Sequence, residues 1–530
     1  MFKMKKTTLK RLSVLILALT MCLMNMMTVF AANGDEAEHT YSLYQIFKGE
    51  VSNGVISPSN VTWGANAKNG NETVTVDSEV PVAVLEDLEK VAGNTSDETK
   101  MQTISKYVDF TSTPVATSTD GKFTGLASGY YLVADSIKDE YTDGAVSYYF
   151  VTVTEGEITV TPKTGKPEVD KEVWESDDSG TGTSGKPEDE DTDLNGSDWQ
   201  ETADHAIGEE FSFRLTAKLP DSGLDEYKAY YLEFKDTISS GISYKGNLRV
   251  YVGDTLITSG YTATEPTVDD GGDLKVVIDN LVGLAGTTAG AGLHNKTVTV
   301  VYDAALNENA QVQSAGNDDP QTTTNKNEVS LVYSNKWDLT SKGETPKDYV
   351  WVFTYEMPNN KVDGDGDALE GAEFMLLNSD KTKVATFDNN GKFSGWVNYE
   401  VDEDGKPTSG TAIASEIGSD GKASFNFTGL DAGTYILKET TTPEGYNTCE
   451  DVTVVITANH GEESDGGSAT TVVSMTKDGT DTNQNTIENN KGTLLPSTGG
   501  IGTTIFYVTG SIMVLGAAIL LVVKKRMSAQ

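Results

Sequence analysis

Short runs in which apolar and polar residues alternate recur along this 530-residue chain, and they constrain its fold more than any other feature. Each run has a period of two and is bounded by Gly, Asn or Asp, as expected for half-buried strands between turns. Examples are Val146 to Val153, Leu248 to Val252, Val298 to Tyr302, Val329 to Tyr333 and Val452 to Ile456. One exception, Val82 to Val91, has apolar residues at helical spacing. The pattern predicts an all-β fold of tandem immunoglobulin-like β-sandwich domains.

The N-terminal end has the features of an export signal. Five basic residues precede an apolar stretch from Leu12 to Phe30, and the small residues Ala31 and Ala32 follow it. This order is typical of a secretory signal peptide, which is removed from the mature protein. We therefore predict that residues 1–31 are a signal peptide and that the rest of the chain is exported.

The C-terminal end combines a short motif, an apolar run and a basic tail. The motif consists of Leu495, Pro496, Ser497, Thr498 and Gly499, and the sequence continues with an apolar run at 501–523 and a basic tail at 524–526. About 20 apolar residues span a bilayer, and cationic residues stay on its cytoplasmic side. The motif resembles the cell-wall sorting signal that sortases of Gram-positive bacteria cut. That resemblance implies cleavage after Thr498 and its transfer to an amine; the alternative is a single-span membrane protein with a chance turn.

Charge and cysteine content narrow the function further. The two ends hold eight basic and no acidic residues, so the exported segment has 32 basic and 80 acidic residues, a net charge of −48. The electrostatic field of so negative a segment repels phosphate groups and therefore disfavours nucleic acid as a partner. Outside the signal peptide Cys449 is the one cysteine, so no internal disulfide is expected. The four histidines are scattered and the run Asp363 to Asp367 lacks the Glu that ends a calcium loop, so we predict no metal and no cofactor.

Two breaks in the strand pattern predict the domain boundaries. The segment Pro162 to Pro167 reads as a linker, and the stretch from Lys342 to Lys347 as a second junction. We predict an N-terminal domain at 32–163, a middle sandwich at 164–340, a C-terminal sandwich at 341–494 and a sorting signal, transmembrane segment and basic tail at 495–530.

The middle and C-terminal domains share a pattern of three polar residues in strand-like surroundings. Each has a lysine near its start, an acid within an apolar strand and an asparagine near its end: Lys171, Asp236 and Asn327, then Lys361, Glu439 and Asn489. A buried lysine loses its proton and becomes a nucleophile. Beside an asparagine polarised by a protonated acid, it can attack the side-chain carbonyl and expel ammonia, forming an isopeptide bond. An ordinary salt bridge is the alternative from spacing alone, and Asn325 and Asn490 are alternative asparagines.

Several motifs resemble a known family. Leu369 to Phe374 is similar to the opening of collagen-adhesin B-type domains, and Tyr435 to Thr440 to their glutamate-containing E-box. Phe234 to Ile238 resembles the aspartate strand of the middle domain, and Tyr44 to Gly49 with Gly129 to Val133 resembles the first domain of the same proteins. The family is the sortase-assembled backbone (major) pilins of Gram-positive bacteria. The resemblance implies collagen-adhesin A/B-type domains with Lys171–Asn327 and Lys361–Asn489 isopeptide bonds, assisted by Asp236 and Glu439.

The same resemblance implies how subunits join. Backbone pilins have a Pro-Lys motif at the end of the first domain, matched here by Pro162 and Lys163, with Lys166 as runner-up. A sortase would join Thr498 to Lys163 of the next subunit, and the finished shaft would be anchored to peptidoglycan at the cell surface. The implied partners are pilin-specific and housekeeping sortases, identical subunits and accessory pilins. A monomeric wall-anchored adhesin and a tip or base pilin are the alternatives.

Neither an enzymatic site nor a third isopeptide set is expected in this chain. No enzyme is expected, because no nucleophile–His–acid set or metal site is visible. In the first domain, Lys48 and Asp135 have no obvious Asn partner, so no third isopeptide set is assigned there.

Overall fold

The structure is a computed structural model that describes residues 39–52, 55–56, 60–91, 97–137, 148–153, 156–159, 165–175, 186, 194, 196, 198–225, 227–336, 341–461 and 469–492. The predicted signal peptide, the sorting signal and Lys163 lie outside these residues. In the described ranges no helix is long and apolar enough to cross a membrane, and the predicted span at 501–523 is not among them.

The first domain is a mixed unit built on one sheet and two helices. Its sheet has the order β10-β9-β1-β4, with β7 also paired to β1. The strands are β1 (His39–Lys48), β2 (Val51–Ser52), β3 (Val55–Ile56), β4 (Thr62–Trp63), β5 (Lys68–Asn69), β6 (Glu72–Thr73), β7 (Ala116–Ser118), β8 (Lys122–Leu126), β9 (Gly129–Ile137), β10 (Tyr148–Val153) and β11 (Gly156–Thr159). The helices are α1 (Val82–Val91), α2 (Asp97–Ile104) and a 3₁₀ turn at Ser105–Tyr107. The predicted helix is confirmed as α1, which buries Leu85 and Leu88 against the sheet.

The middle domain is a sandwich of two sheets. Their orders are β13-β12-β15-β21-β17-β18 and β14-β26-β24-β16-β20-β19, with β25 paired to β24. The strands are β12 (Glu168–Trp174), β13 (Trp199–Gln200), β14 (Thr202–Asp204), β15 (Glu210–Lys218), β16 (Leu232–Ile238), β17 (Ile242–Val252), β18 (Thr255–Ile257), β19 (Thr262–Thr264), β20 (Gly272–Ile278), β21 (Thr297–Leu306), β24 (Lys326–Ser334), β25 (Lys342–Glu344) and β26 (Asp348–Phe353). The intervening strands β22 (Gln313–Ser314) and β23 (Asn317–Thr322) pair instead with strands of the C-terminal domain. A short helix α3 (Leu281–Leu284) and a 3₁₀ turn at Gly290–Leu293 close one end.

The C-terminal domain is a second sandwich. Its larger sheet has the order β23-β38-β37-β36-β29-β30-β31, and the smaller ones are β33-β34-β28-β40 and β22-β27-β35. The strands are β27 (Tyr355–Met357), β28 (Asn359–Asp363), β29 (Glu373–Asn378), β30 (Lys383–Phe387), β31 (Phe393–Asn398), β32 (Ile413–Ala414), β33 (Glu416–Ile417), β34 (Ala423–Ser424), β35 (Phe427–Leu430), β36 (Gly433–Thr441), β37 (Val452–His460), β38 (Thr470–Lys477), β39 (Thr480–Asp481) and β40 (Asn485–Asn489). The predicted fold class, all-β with tandem sandwiches, is confirmed.

Strand β26 belongs to both sandwiches. Val350 and Val352 lie in the core of the middle domain, whereas Trp351 and Phe353 lie in the core of the C-terminal domain. Successive side chains of a strand point to opposite faces, so a strand that is apolar on both faces can join two cores. Full burial of an apolar side chain of this size stabilises by about 1.5–3 kcal/mol. The two sandwiches therefore meet across a common strand.

The Gly-Asp run after β28 forms a tight turn. Asp363 Oδ1 accepts hydrogen bonds from the amides of Asp365 (2.9 Å) and Asp367 (3.1 Å), and Gly366 has φ 85°. Lys491 Nζ lies 2.7 Å from Asp365 Oδ2 and 3.5 Å from Asp363 Oδ2. These carboxylates therefore stabilise a turn and bind a lysine of the last described segment, which accounts for the sequence pattern.

Candidate functional sites: two buried lysine–acid–asparagine sets

The structure brings the three predicted residues of the middle domain together in its core. Lys171 lies on β12 of one sheet, while Asp236 and Asn327 lie on the adjacent strands β16 and β24 of the other. In that pairing Ile238 is opposite Asn327, which sets Asp236 and Asn327 diagonally on one face. Lys171 and Asn327 are 0% exposed and Asp236 is 1% exposed. The set therefore spans the two sheets of the sandwich.

A chain of hydrogen bonds connects this middle set. Lys171 Nζ lies 2.6 Å from Asp236 Oδ1. The hydroxyl of Tyr302, on β21, donates to Asp236 Oδ2 at 2.5 Å and accepts from Asn327 Nδ2. The rings of Phe213 and Tyr302 face the ammonium position, with centroids 5.0 Å and 5.6 Å from Nζ. Lys171, Asp236 and Asn327 are thus connected, through the Tyr302 hydroxyl, in one buried hydrogen-bond network.

Burial moves both titratable groups of this set toward their neutral forms. It lowers the pKa of Lys171, although Asp236 acts in the opposite direction. It also raises the pKa of Asp236, against the effect of Lys171. Both shifts have the same physical cause, which is that a charge loses its hydration in the core. A neutral amine and a protonated carboxyl are the two states that nucleophilic attack on an amide requires.

The C-terminal set has the same three residue types on different strands. Lys361 lies on β28 and Asn489 on β40, which run parallel as direct neighbours. Glu439 lies on β36 of the larger sheet. Lys361 is 0%, Asn489 1% and Glu439 5% exposed. The lysine and the asparagine here share a sheet, and the acid faces them from the other one.

In the C-terminal set, the acid accepts hydrogen bonds from the asparagine and from a backbone amide. Asn489 Nδ2 donates to Glu439 Oε1 at 2.6 Å, and the backbone N–H of Cys449 donates to Glu439 Oε2 at 2.7 Å. Lys361 Nζ donates to the carbonyl of Ile487 at 3.0 Å, on the strand that carries Asn489. Burial lowers the pKa of Lys361, with Glu439 opposing that shift. The acid thus contacts the asparagine here, whereas it contacts the lysine in the middle set.

The amide oxygens of the two asparagines are a shared feature. Within the part of the chain that the structure describes, Asn327 Oδ1 and Asn489 Oδ1 are buried and have no hydrogen-bond partner. An unsatisfied buried acceptor costs about 1–3 kcal/mol. A protonated acid in the same set would supply the missing donor and polarise the carbonyl for attack. Each of these two amide oxygens therefore lacks the donor that a protonated acid would provide during attack by the lysine.

The structure separates the two sets from the alternative asparagines. Asn325 bonds to the backbone of Gln311 through both side-chain atoms, with Nδ2 donating to the carbonyl at 2.8 Å and Oδ1 accepting from the amide at 2.8 Å. Asn490 is exposed, beside the buried Asn489. The geometry therefore favours Asn327 and Asn489.

In the first domain, the two residues considered as members of a third set lie in separate pairs. Lys48 Nζ contacts the exposed Asp77 at 2.8 Å, and Asp135 contacts His39 Nδ1 at 2.8 Å in the interior. The structure does not bring Lys48 and Asp135 together. The polymerisation lysine Lys163 and the cleavage residues Leu495, Pro496, Thr498 and Gly499 lie outside the described residues.

Sequence reasoning missed two groups that complete the sets. The sequence places Tyr302 only within a strand, and it identifies Cys449 only as a thiol without a disulfide partner. One signal for Tyr302 was available, because an inward tyrosine in an apolar strand needs a partner for its hydroxyl. The amide of Cys449 gives no sequence signal, since any residue type supplies a backbone N–H.

Comparisons with known proteins identify two family models in this chain. Residues 356–467 match the SpaA family model, described as a prealbumin-like fold domain, and residues 487–528 match the LPXTG cell wall anchor motif. The first match covers Lys361 and Glu439, and the second covers Thr498. The second match confirms the predicted sorting signal and the predicted localisation at the cell wall, and both matches agree with the resemblance that the motifs indicate. The chain is thus a cell-wall-anchored protein with a prealbumin-like domain of the SpaA type.

Among solved structures, the chain matches several pilins at low sequence identity. The 35 kDa C-terminal fragment of the major pilin GBS80 of Streptococcus agalactiae is 22% identical, covers 61% of this chain and 100% of its own, and has a TM-score of 0.39. The T6 backbone pilin of Streptococcus pyogenes is 16% identical, with coverages of 87% and 97% and a TM-score of 0.44. The Corynebacterium diphtheriae major pilin SpaA is 15% identical, with coverages of 86% and 95% and a TM-score of 0.42. No curated protein matches the chain in sequence.

Tyr302 gives a prediction specific to the middle set. Replacing Tyr302 by Phe removes the hydroxyl that joins Asn327 to Asp236, so the amide is no longer held in place for attack. Misplacement of a reacting group by about 1 Å can cost on the order of 100-fold in rate. We expect Tyr302→Phe to slow closure of the Lys171–Asn327 bond by that order, measured by intact mass at intervals after synthesis. The C-terminal bond is the internal control and should close at the wild-type rate; equal slowing of both bonds would contradict the role of Tyr302.

Proposed function

We propose that this protein is the structural shaft subunit of a covalent cell-surface pilus, in which each sandwich is closed by its own isopeptide bond. The observation that carries the proposal is the repetition of a buried lysine–acid–asparagine set in two successive domains ahead of a cell-wall anchor. One such set is compatible with a buried salt bridge. Two sets on different strands, both with neutralising pKa shifts at lysine, are better explained by a common reaction.

The proposed cross-link is a self-catalysed amide exchange. The neutral Nζ of Lys171 attacks Cγ of Asn327, and Asp236 transfers a proton from the attacking nitrogen to the departing amide nitrogen. One C–N bond forms, one breaks, and ammonia leaves. Lys361, Asn489 and Glu439 have the same roles in the C-terminal domain. The protein is thus a reactant that cross-links itself once and not an enzyme with turnover.

Subunit joining would use Thr498, at the C-terminal end of the exported segment, and Lys163, at the end of the first domain. A pilin-specific sortase would cleave after Thr498, hold it as a thioester and transfer it to Lys163 of an identical subunit. Because the donor and acceptor sites are different surfaces, such a contact does not close on itself and a filament grows. A housekeeping sortase would finally transfer the last subunit to peptidoglycan, and accessory pilins would be further partners.

The ladder of covalent polymers tests this proposal. Wall extracts of cells that make the wild-type protein should give a high-mass ladder on immunoblots, and Lys163→Ala should reduce it to a single band. Lys166→Ala, three residues away, is the matched control and should leave the ladder intact. A ladder lost only in Lys166→Ala would reassign the acceptor. A single band for the wild type would favour a monomeric adhesin or an accessory pilin.

A further inference from the structure

A group of carboxylates and histidines lies at the junction between the two sandwiches, close to the end of β26. Its members come from both sides, and this junction cluster consists of Glu175, Asp204, His205 and Glu209 from the middle domain and Asp431 and His460 from the C-terminal domain. Glu175 is 9%, Asp204 3%, His205 0%, Glu209 7% and Asp431 2% exposed. Charged groups are seldom buried in such density unless they are paired or bind a cation.

Backbone hydrogen bonds fix the segment that carries most of the cluster. The amide of His205 donates to the carbonyl of Phe353 at 3.0 Å, at the end of the shared strand. The amide of Ile207 donates to Gly429 of the C-terminal domain, also at 3.0 Å. Asp204 Oδ2 accepts from the amide of Ala432 at 3.0 Å, which brings the Asp431 loop against it. The segment is thus bonded to both sandwiches, and its side chains are preorganised.

Two triads in the cluster have the spacing of metal ligands. One potential ligand atom from each of His205, Glu209 and Asp431 lies within 4.8 Å of the other two. The same holds for Glu175, Asp204 and Asp431. Metal–ligand bonds to imidazole and carboxylate are about 2.0–2.2 Å long, so a central ion can reach atoms at this separation after small side-chain movements. Asp431 belongs to both triads, which places it at the centre of the cluster.

His205 supplies an independent sign of a ligand. Its Nε2 lies 3.1 Å from the carbonyl of Trp174, an acceptor, so the ring proton is on Nε2. Its Nδ1 then presents a lone pair to Glu175 Oε2 at 3.7 Å and, among the described residues, has no hydrogen-bond partner. Stacking on Phe211, at 4.5 Å between centroids, holds the ring in this direction. A histidine whose far nitrogen donates to a backbone carbonyl is the usual arrangement of a metal ligand.

We propose that the junction cluster binds one divalent transition-metal ion, with Zn²⁺ as the best-fitting species, and that the ion joins the two sandwiches. His205 Nδ1, Glu209 and Asp431 would be the primary ligands, and Glu175, whose Oε2 lies 3.7 Å from His205 Nδ1, would complete the shell. Asp204 contacts His460 Nε2 at 2.9 Å and the amide of Ala432, so it would support the site from outside the shell. An imidazole nitrogen among carboxylates in a dry site suits Zn²⁺ better than Ca²⁺, which takes six to eight oxygen ligands. The ion would neutralise buried carboxylates of both domains.

Metal binding to the soluble exported segment, with any purification tag removed, tests this inference. After chelator treatment, titration calorimetry with ZnCl₂ should give one site per chain. Asp431→Asn and His205→Gln, which keep the side-chain size, should each weaken binding at least tenfold, and bound Zn²⁺ should raise the melting temperature of the wild type more than that of either variant. His294→Gln is the matched control, because His294 lies near a single carboxylate, Asp225, at 3.7 Å. Wild-type affinity in both cluster variants, or no binding by the wild type, would overturn the site.

A measurement on the unmodified protein avoids dependence on how the variants fold. X-ray absorption at the zinc edge should show mixed nitrogen and oxygen ligands at about 2.0–2.2 Å. Anomalous diffraction from zinc-treated crystals should place the ion between His205 Nδ1 and Asp431. Zinc found only on the surface, with no density at the junction, would overturn the proposal whatever the variants do.

Discussion

Asp236→Asn should leave the mature exported chain about 17 Da heavier than the wild type, after correction for the substitution, because the ammonia of the middle-domain bond is retained. The amide cannot carry the proton that the departing nitrogen needs, although it fills the same space beside Lys171 and Tyr302. Glu439→Gln should have the same effect on the C-terminal bond. Intact mass spectrometry of purified protein measures both, and the double variant should show twice the difference.

Asp273→Asn is the matched control for this mass experiment. Asp273 is an exposed carboxylate on β20, bonded to Thr237 at 2.9 Å on the strand that carries Asp236. Its replacement should leave both bonds formed. Peptide mapping of the wild type should also recover a cross-linked pair that contains Lys171 and Asn327. If Asp236→Asn loses the same ammonia as the wild type, the acid has no part in the chemistry.

The second large effect is on stability. Lys171→Met combined with Asp236→Asn should lower the free energy of unfolding of the middle domain by about 5 kcal/mol, because a covalent loop on the order of 150 residues is released. Replacing both residues leaves neither one as an unpaired buried ionisable group, and replacement of a buried pair by groups of similar size is often neutral or stabilising by itself. The expected loss therefore reports the covalent bond. Urea unfolding of the wild type and the double variant measures it.

A single variant, compared with the double variant, separates the effect of the covalent bond from changes in packing. Asp236→Asn alone also lacks the bond but keeps Lys171 buried, so it should be at least as unstable as the double variant. The C-terminal domain, whose proposed Lys361–Asn489 bond these substitutions leave untouched, serves as the reference transition in each experiment. Unfolding midpoints equal to the wild type in both variants would mean that the middle domain is not clamped.

Much of the fold could be predicted from the alternation of apolar and polar residues in the strands. Both lysine–acid–asparagine sets could be predicted because an ionisable residue stands at an inward position of an apolar strand. Glu439 follows Tyr435 and Leu437 at a spacing of two, so the sequence itself indicates that the acid points into the core. Tyr302 could not be assigned, since its partners lie on two strands that the chain reaches at distant positions. The junction cluster was missed for the same reason: His205 and Asp431 come from different domains, and no local spacing relates them. The run Asp348 to Phe353 is visibly apolar, yet only the tertiary structure shows that it packs against two cores.

The parallel pairing of β28 and β40 has a mechanical consequence. These strands run in the same direction, with Asn359 opposite Asn485 and Asp363 opposite Asn489. A pull on the N-terminal end of one and the C-terminal end of the other would slide them past each other in shear, so that their hydrogen bonds resist together instead of opening one at a time. A stretched filament would meet this resistance in every repeat.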